Sequence, residues 1–253
     1  MILRAAEAGE GAPLVLLHGL FGAARNFGAI QRALSHRFRV IALDLRNHGG
    51  SPHAPQMDYA TTAGDVLETL DLRAAVPAVV MGHSMGGKVA MHLALSQPDA
   101  VTRLVVADIA PVAYPPHFQD IANALLKLRL DAPLTRGQAD AALGHAVPDD
   151  AMRAFLLQNL LPGRKPAWQI GLAEIAAALS DIGDWNPPPG ATFTKPTMFV
   201  AGERSDYIQV EHRPLIRTLF PAARFITLKG AGHWLHADNP TGFVSLLEAF
   251  ALA

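Results

Sequence analysis

Six short apolar runs, each linked to the next by a stretch that includes helical spacing, constrain this chain more than anything else in its sequence. They are PLVLL (13–17), RVIAL (39–43), PAVVM (77–81), RLVVAD (103–108), PTMFVAG (196–202) and RFITL (224–228). The runs are apolar nearly throughout rather than at alternate positions, as in strands covered on both faces of a parallel sheet. Helical patterns fall at about 26–35, 61–74, 84–97, 208–219 and 240–252. In the last, Asp238 or Asn239 reads as the cap and Pro240 as the first helical residue. Strand and helix alternating in this way predict an open, mostly parallel, doubly wound α/β sheet.

The composition agrees with one sizeable core: 253 residues, 50% hydrophobic and 17% charged. A net charge of −1 gives no pull toward nucleic acid or anionic membrane. The absence of cysteine excludes disulfides and thiol chemistry. No apolar run approaches the ~18 residues of a membrane span, and MILRAAEAGEGAP has no secretory pattern. The expectation is a soluble cytoplasmic protein with neither nucleic acid nor membrane as partner. Residues 112–189 break the strand rhythm and offer only helical faces: Phe118, Ile121, Ala122, Leu125 and Leu128, then Met152, Phe155, Leu156 and Leu160, then Leu172, Ile175, Ala176, Leu179 and Ile182. This segment reads as a helical cap over the strand ends, inserted into a core of residues 1–111 and 190–253.

AVVMGHSMGGKVAM, residues 78–91, carries two overlapping motifs between a strand and a helix. Gly82 to Lys88 nearly completes a phosphate-binding loop, but Val89 stands where a hydroxyl must ligate Mg²⁺. Gly82 to Gly86 is G-x-S-x-G, a nucleophile elbow that requires an acid, then a histidine, later in the chain, each after a strand. Asp108 ends the 103–108 run and His233 follows the 224–228 run, while HGLFG at 18–22 offers backbone amides after an early strand. The elbow reading accounts for every part, so the turn is expected to present Ser84 rather than hold phosphate.

HGLFG (18–22), DLRNHGGS (44–51), GHSMGGK (82–88), DIAP (108–111) and GAGHWLHADNP (230–240) together resemble the α/β-hydrolase superfamily, and specifically small bacterial YbfF-type esterases. The resemblance implies an α/β-hydrolase fold with the cap inserted after the sixth strand, a reduced leading strand pair, and no cofactor. It implies hydrolysis of small-molecule esters or thioesters, acyl-CoA among them, with Ser84 as nucleophile and His233 as base. The amides of Leu20 and Met85 would form the oxyanion hole. Many superfamily members carry the acid after the 196–202 strand, where Asp206 is the nearest carboxylate; the YbfF-type resemblance favours Asp108. The same triad would also serve a C–C bond hydrolase or lyase, and the same cavity a ligand-binding protein without turnover.

Phe21 and Trp234 adjoin predicted site residues and are expected to line the pocket. His83 either contacts substrate or packs under the elbow; His18 is expected to position the oxyanion loop, and Asp44, Arg46 and His48 to form an internal network. Lys88 is expected to be a partly exposed cation at the rim. His233 and His236 lack a third ligand, so no metal is expected.

Overall fold

The computed structural model describes residues 1–115 and 118–253. Strands β1 (Ala5–Ala8), β2 (Ala12–Leu17), β3 (Phe38–Leu43), β4 (Ala78–His83) and β5 (Val101–Ala107) are followed by a two-residue ribbon, β6 (Leu160–Leu161) and β7 (Ala167–Trp168), and then by β8 (Thr197–Gly202) and β9 (Ala223–Leu228). Seven of them form one sheet in the order β1-β3-β2-β4-β5-β8-β9, parallel except where β1 pairs with β3. All six predicted strands are present. β1 was not predicted, and it is a single strand where a leading pair is usual. The inserted segment therefore leaves the fifth strand of this chain rather than a sixth.

Side-chain alternation along each strand divides the core into two layers. Leu14 and Leu16 point to the layer of α1 (Gly28–Leu34) and the last helix, α11 (Pro240–Leu252), where Ile30, Leu34, Phe243 and Leu247 pack. Val15 and Leu17 point to the opposite layer, where α2 (Tyr59–Leu72), α3 (Met85–Ser96) and α9 (Arg213–Leu219) bring Val66, Leu70, Val89, Leu93 and Ile216. The last helix begins on an Asn239 cap, whose side-chain oxygen accepts from Gly242 N at 2.9 Å.

Between β5 and β8 lie α4 (Gln119–Leu126), α5 (Arg136–Leu143), α6 (Asp150–Leu157), α7 (Leu172–Ala177) and α8 (Leu179–Gly183). Their apolar faces join the second layer through Leu125, Leu156, Ile175 and Leu179. The apolar face read over 172–182 is divided at Ala178, whose ψ of 2° separates α7 from α8.

Candidate active site

The parallel strands bring their carboxyl ends to one edge of the sheet, where the candidate residues gather. Ser84 follows β4 directly, with φ 52° and ψ −122°, and α3 starts at the next residue. Such a backbone costs on the order of 1–3 kcal/mol and persists only where its surroundings hold it. Here Ser84 N donates to Ala107 O at 2.9 Å, and Ser84 O accepts from Gly87 N at 2.8 Å. The flanking glycines permit the close approach: a Cβ on Gly82 would stand 2.1 Å from Gly86 O, and one on Gly86 2.4 Å from Leu17 O.

His233, in the loop between β9 and α10 (Leu235–Asp238), has Nε2 3.1 Å from Ser84 Oγ and Nδ1 2.8 Å from Asp108 Oδ2. A carboxylate only accepts, so Nδ1–H donates and Nε2 is left to accept from the serine hydroxyl. Asp108 is fully buried; its Oδ1 accepts from Gly202 N at 2.9 Å, and its Oδ2 also accepts from the Ser205 hydroxyl. Asp206 is exposed, and its side chain makes no hydrogen bond to His233. The tyrosine after it stacks on the imidazole: the Tyr207 and His233 rings are 4.2 Å apart at 26°.

The HGLFG loop is pressed against the elbow, so that a Cβ on Gly19 would lie 3.1 Å from Ser84 Cβ. Leu20 and Met85 border the cavity at this junction, and their backbone N–H groups have no hydrogen-bond partner among the described residues. Two buried histidines shape the loop. His18 donates from Nδ1 to Gly19 O at 2.8 Å and accepts Leu45 N at Nε2 (3.0 Å); His48 donates from Nδ1 to Arg46 O (2.8 Å) and accepts Phe21 N at Nε2 (3.1 Å). Burial pulls His18 down to about 4 and His48 to about 3, so both stay neutral and remain acceptors. Burial lowers His83 as well, helped by His233 and His236, and its Nε2 donates to His233 O at 2.7 Å. Asp44 accepts from Ala24 N, Gly50 N and Arg4, and Arg46 pairs with buried Asp65 at 2.6 Å.

Two cavities meet at Ser84. The narrow one, about 50 Å³, is lined by Met85, Lys88, Tyr59, Tyr114 and Ile182; the wide one, about 630 Å³, by His83, His233, Trp234, His236 and Phe155. Leu20 borders both. Phe21 lines neither, against expectation: φ 60° turns it into the core, where it meets Phe118 edge-on at 6.1 Å. Lys88 is no rim cation but 2% exposed, because α8 closes over it and accepts its ammonium at Gly183 O (3.0 Å) and Asp184 O (2.8 Å).

Sequence reasoning missed Ser205, Tyr207 and Asn159. Asn159 is fully buried, donates to Phe21 O at 2.7 Å and accepts from Arg25 at 2.8 Å. A polar pair, Gln158 and Asn159, set within the apolar run Leu156 to Leu161 was its only signal. Among the described residues, no His, Cys, Asp or Glu cluster has metal-holding geometry, and no helix is long and apolar enough to cross a membrane.

A serine hydroxyl, an imidazole and a buried carboxylate stand in one hydrogen-bonded line at a strand-turn-helix, the local arrangement that α/β-hydrolases share. The family described as "Alpha/beta hydrolase family" matches residues 14–246, and the chain belongs to it. It is similar to sn-1-specific diacylglycerol lipase ABHD11 of Mus musculus, 39% identical over 246 residues, covering 94% of this chain and 80% of the relative. It is likewise similar to Esterase YbfF of Escherichia coli K12, 34% identical over 239 residues, covering 94% and 92%. A solved structure titled "Marine microorganism esterase" superposes with TM-score 0.95 at 35% identity, covering 98% of this chain and 99% of that one.

Proposed function

We propose that this hydrolase cleaves small carboxylic esters and thioesters through an acyl-Ser84 intermediate, with His233 as the base and Asp108 as its orienting acid. The relatives named esterase and lipase support ester chemistry. The observation that carries the residue assignment is the continuous hydrogen-bonded line from Ser84 Oγ through both His233 nitrogens to Asp108. In the first half-reaction Ser84 Oγ bonds to the acyl carbon while its proton passes to His233 Nε2. The carbonyl electrons move onto oxygen, facing the amides of Leu20 and Met85. The oxygen or sulfur of the leaving group then departs with the proton from Nε2. Water repeats the sequence: its proton goes to Nε2, its oxygen bonds the acyl carbon, and Ser84 Oγ leaves reprotonated. Every group these steps use is a side chain, a backbone amide or water.

Residues 112–189 act as the cap that roofs both cavities, on a core of residues 1–111 and 190–253. Exposure to a fluorophosphonate, followed by intact mass measurement, tests the reading. One adduct on the wild type and none on Ser84→Ala is expected. An unlabelled but folded wild type, or a labelled Ser84→Ala, would contradict it.

A further inference from the structure

Lys88 is a buried charge that the chemistry above leaves unused and that, unlike Asp44, Arg46 and Asp65, has no ion-pair partner among the described residues. Its ammonium has three N–H groups; Gly183 O and Asp184 O take two, and the third has no acceptor among the described residues. No carboxylate lies within salt-bridge distance of it among those residues. The charged and titratable groups around it are Tyr59 from α2, Tyr114 after β5 and Asp184 after α8. The two tyrosines offer ring faces, at 5.5 and 5.1 Å, while their hydroxyls bond Ile182 O and Tyr207 O. Asp184 is exposed and spends its carboxylate on Trp185 N and Asn186. A buried cation whose nearest opposing charge, the exposed Asp184 carboxylate, is not in contact with it is costly, and it stands in a cavity whose other walls are chiefly apolar.

The reaction geometry says which half of a substrate reaches this cation. His233 hands a proton to the leaving group, which must therefore lie on the imidazole side. His233 and Trp234 line the wide cavity only, and Met85 the narrow one only, while Ser84 borders both. With the carbonyl oxygen at the Leu20 and Met85 amides, the leaving group occupies the wide cavity and the acyl chain the narrow one. Lys88 lies one helical turn beyond Ser84 on α3, a rise of about 5–6 Å, so few atoms separate the acyl carbon from it.

We propose that the narrow cavity is an acyl subsite for short dicarboxylic half-esters and half-thioesters, with Lys88 receiving the far carboxylate. The proposal rests on the acyl-Ser84 reading. The carboxylate takes the third ammonium N–H in a charge-assisted hydrogen bond and supplies an opposing charge in direct contact. Burial lowers Lys88 to about 8, which keeps the cation predominant at neutral pH and removes it in mild alkali.

The test compares kcat/KM, by ethanol release, for monoethyl succinate and for ethyl 4-methylpentanoate, a neutral ester of nearly the same shape. At pH 7 the wild type is expected to favour the half-ester by at least about tenfold, equivalent to about 1.4 kcal/mol. The ratio should shrink between pH 7 and 9. In Lys88→Met it should reverse, because the carboxylate would be buried without a partner. Each ratio is read within one protein preparation, so a loss of folded enzyme cancels; should Lys88→Met fail to fold, the wild-type pH series decides. An equal or inverted preference in wild type, a ratio unaffected by pH, or an unchanged ratio in Lys88→Met would overturn the subsite. Cleavage of the neutral ester would in that case leave the ester-hydrolase reading standing. Cleavage of neither ester would overturn both.

Discussion

The wall of the site built by the ends of β2, β4, β5 and β9 sets backbone in near contact with backbone at the elbow, whereas the wall built by residues 118–189 is held by side chains that bridge the two. On the first wall Gly82 and Gly86 leave no room for a methyl group, Gly19 is tight against Ser84, and Ser84 and Asp108 are both held at positive φ. On the second, Asn159 reaches Phe21 O, Arg25 reaches Gln158 O, Tyr59 reaches Ile182 O and Lys88 reaches Gly183 O and Asp184 O. The difference separates two tasks. Reacting atoms need placement to a fraction of an ångström, which close backbone contact supplies. Selecting a substrate needs a surface of suitable shape and charge, for which shorter helices tied at a few points suffice.

If that division holds, changes on the first wall should act on turnover by orders of magnitude. Asp108→Asn is expected to lower kcat by on the order of 10⁴, since the imidazole loses its orienting acceptor. Asp206→Asn should leave the rate unchanged, and equal losses in the two variants would erase the distinction between them. Changes on the second wall should cost less. Asn159→Ala frees the Phe21 carbonyl and should lower kcat about tenfold through a displaced oxyanion loop, against the 10²–10³ of a donor lost outright. Fluorophosphonate should still label Ser84 in that variant, and a loss as large as that of Asp108→Asn would mean the second wall takes part in the chemistry itself.

Acid should sharpen the contrast further, with a smaller effect per step. The native pKa values of His18, His48 and His236 lie below the ordinary value near 6.5, at about 4, 3 and 4. The unfolded chain therefore takes up protons first as pH falls. Stability is fully present above pH 6.5 and declines toward pH 4, by about 1.4 kcal/mol per unit for each of these histidines. A Tm that stays level between pH 7 and 5 would show that the buried histidines are not held neutral.

What the sequence disclosed follows the same line. The glycine turn, the aspartate ending one run and the histidine after another are each a local pattern tied to a strand end, and their three side chains meet. Tyr207, Ser205 and the partners of Lys88 depend on segments remote in sequence, and no local pattern announces them. β1 escaped because AAEA is a helix-favouring string; it is extended only because its register pairs Ala6 with Ala42 on β3. The helix α5 could have been read from its capping box, since Thr135 and Gln138 satisfy each other's backbone amides.

Four of the ties to the second wall end on main-chain carbonyls, those of Gln158, Ile182, Gly183 and Asp184. Every residue type carries a carbonyl, so the attachment does not depend on which side chains the inserted segment displays at those points. Its lining can be rewritten position by position while Arg25, Tyr59 and Lys88 keep their grip on those carbonyls, and a library over 118–189 that spares Gln158, Asn159 and Gln169 can change what is admitted without loosening the second wall.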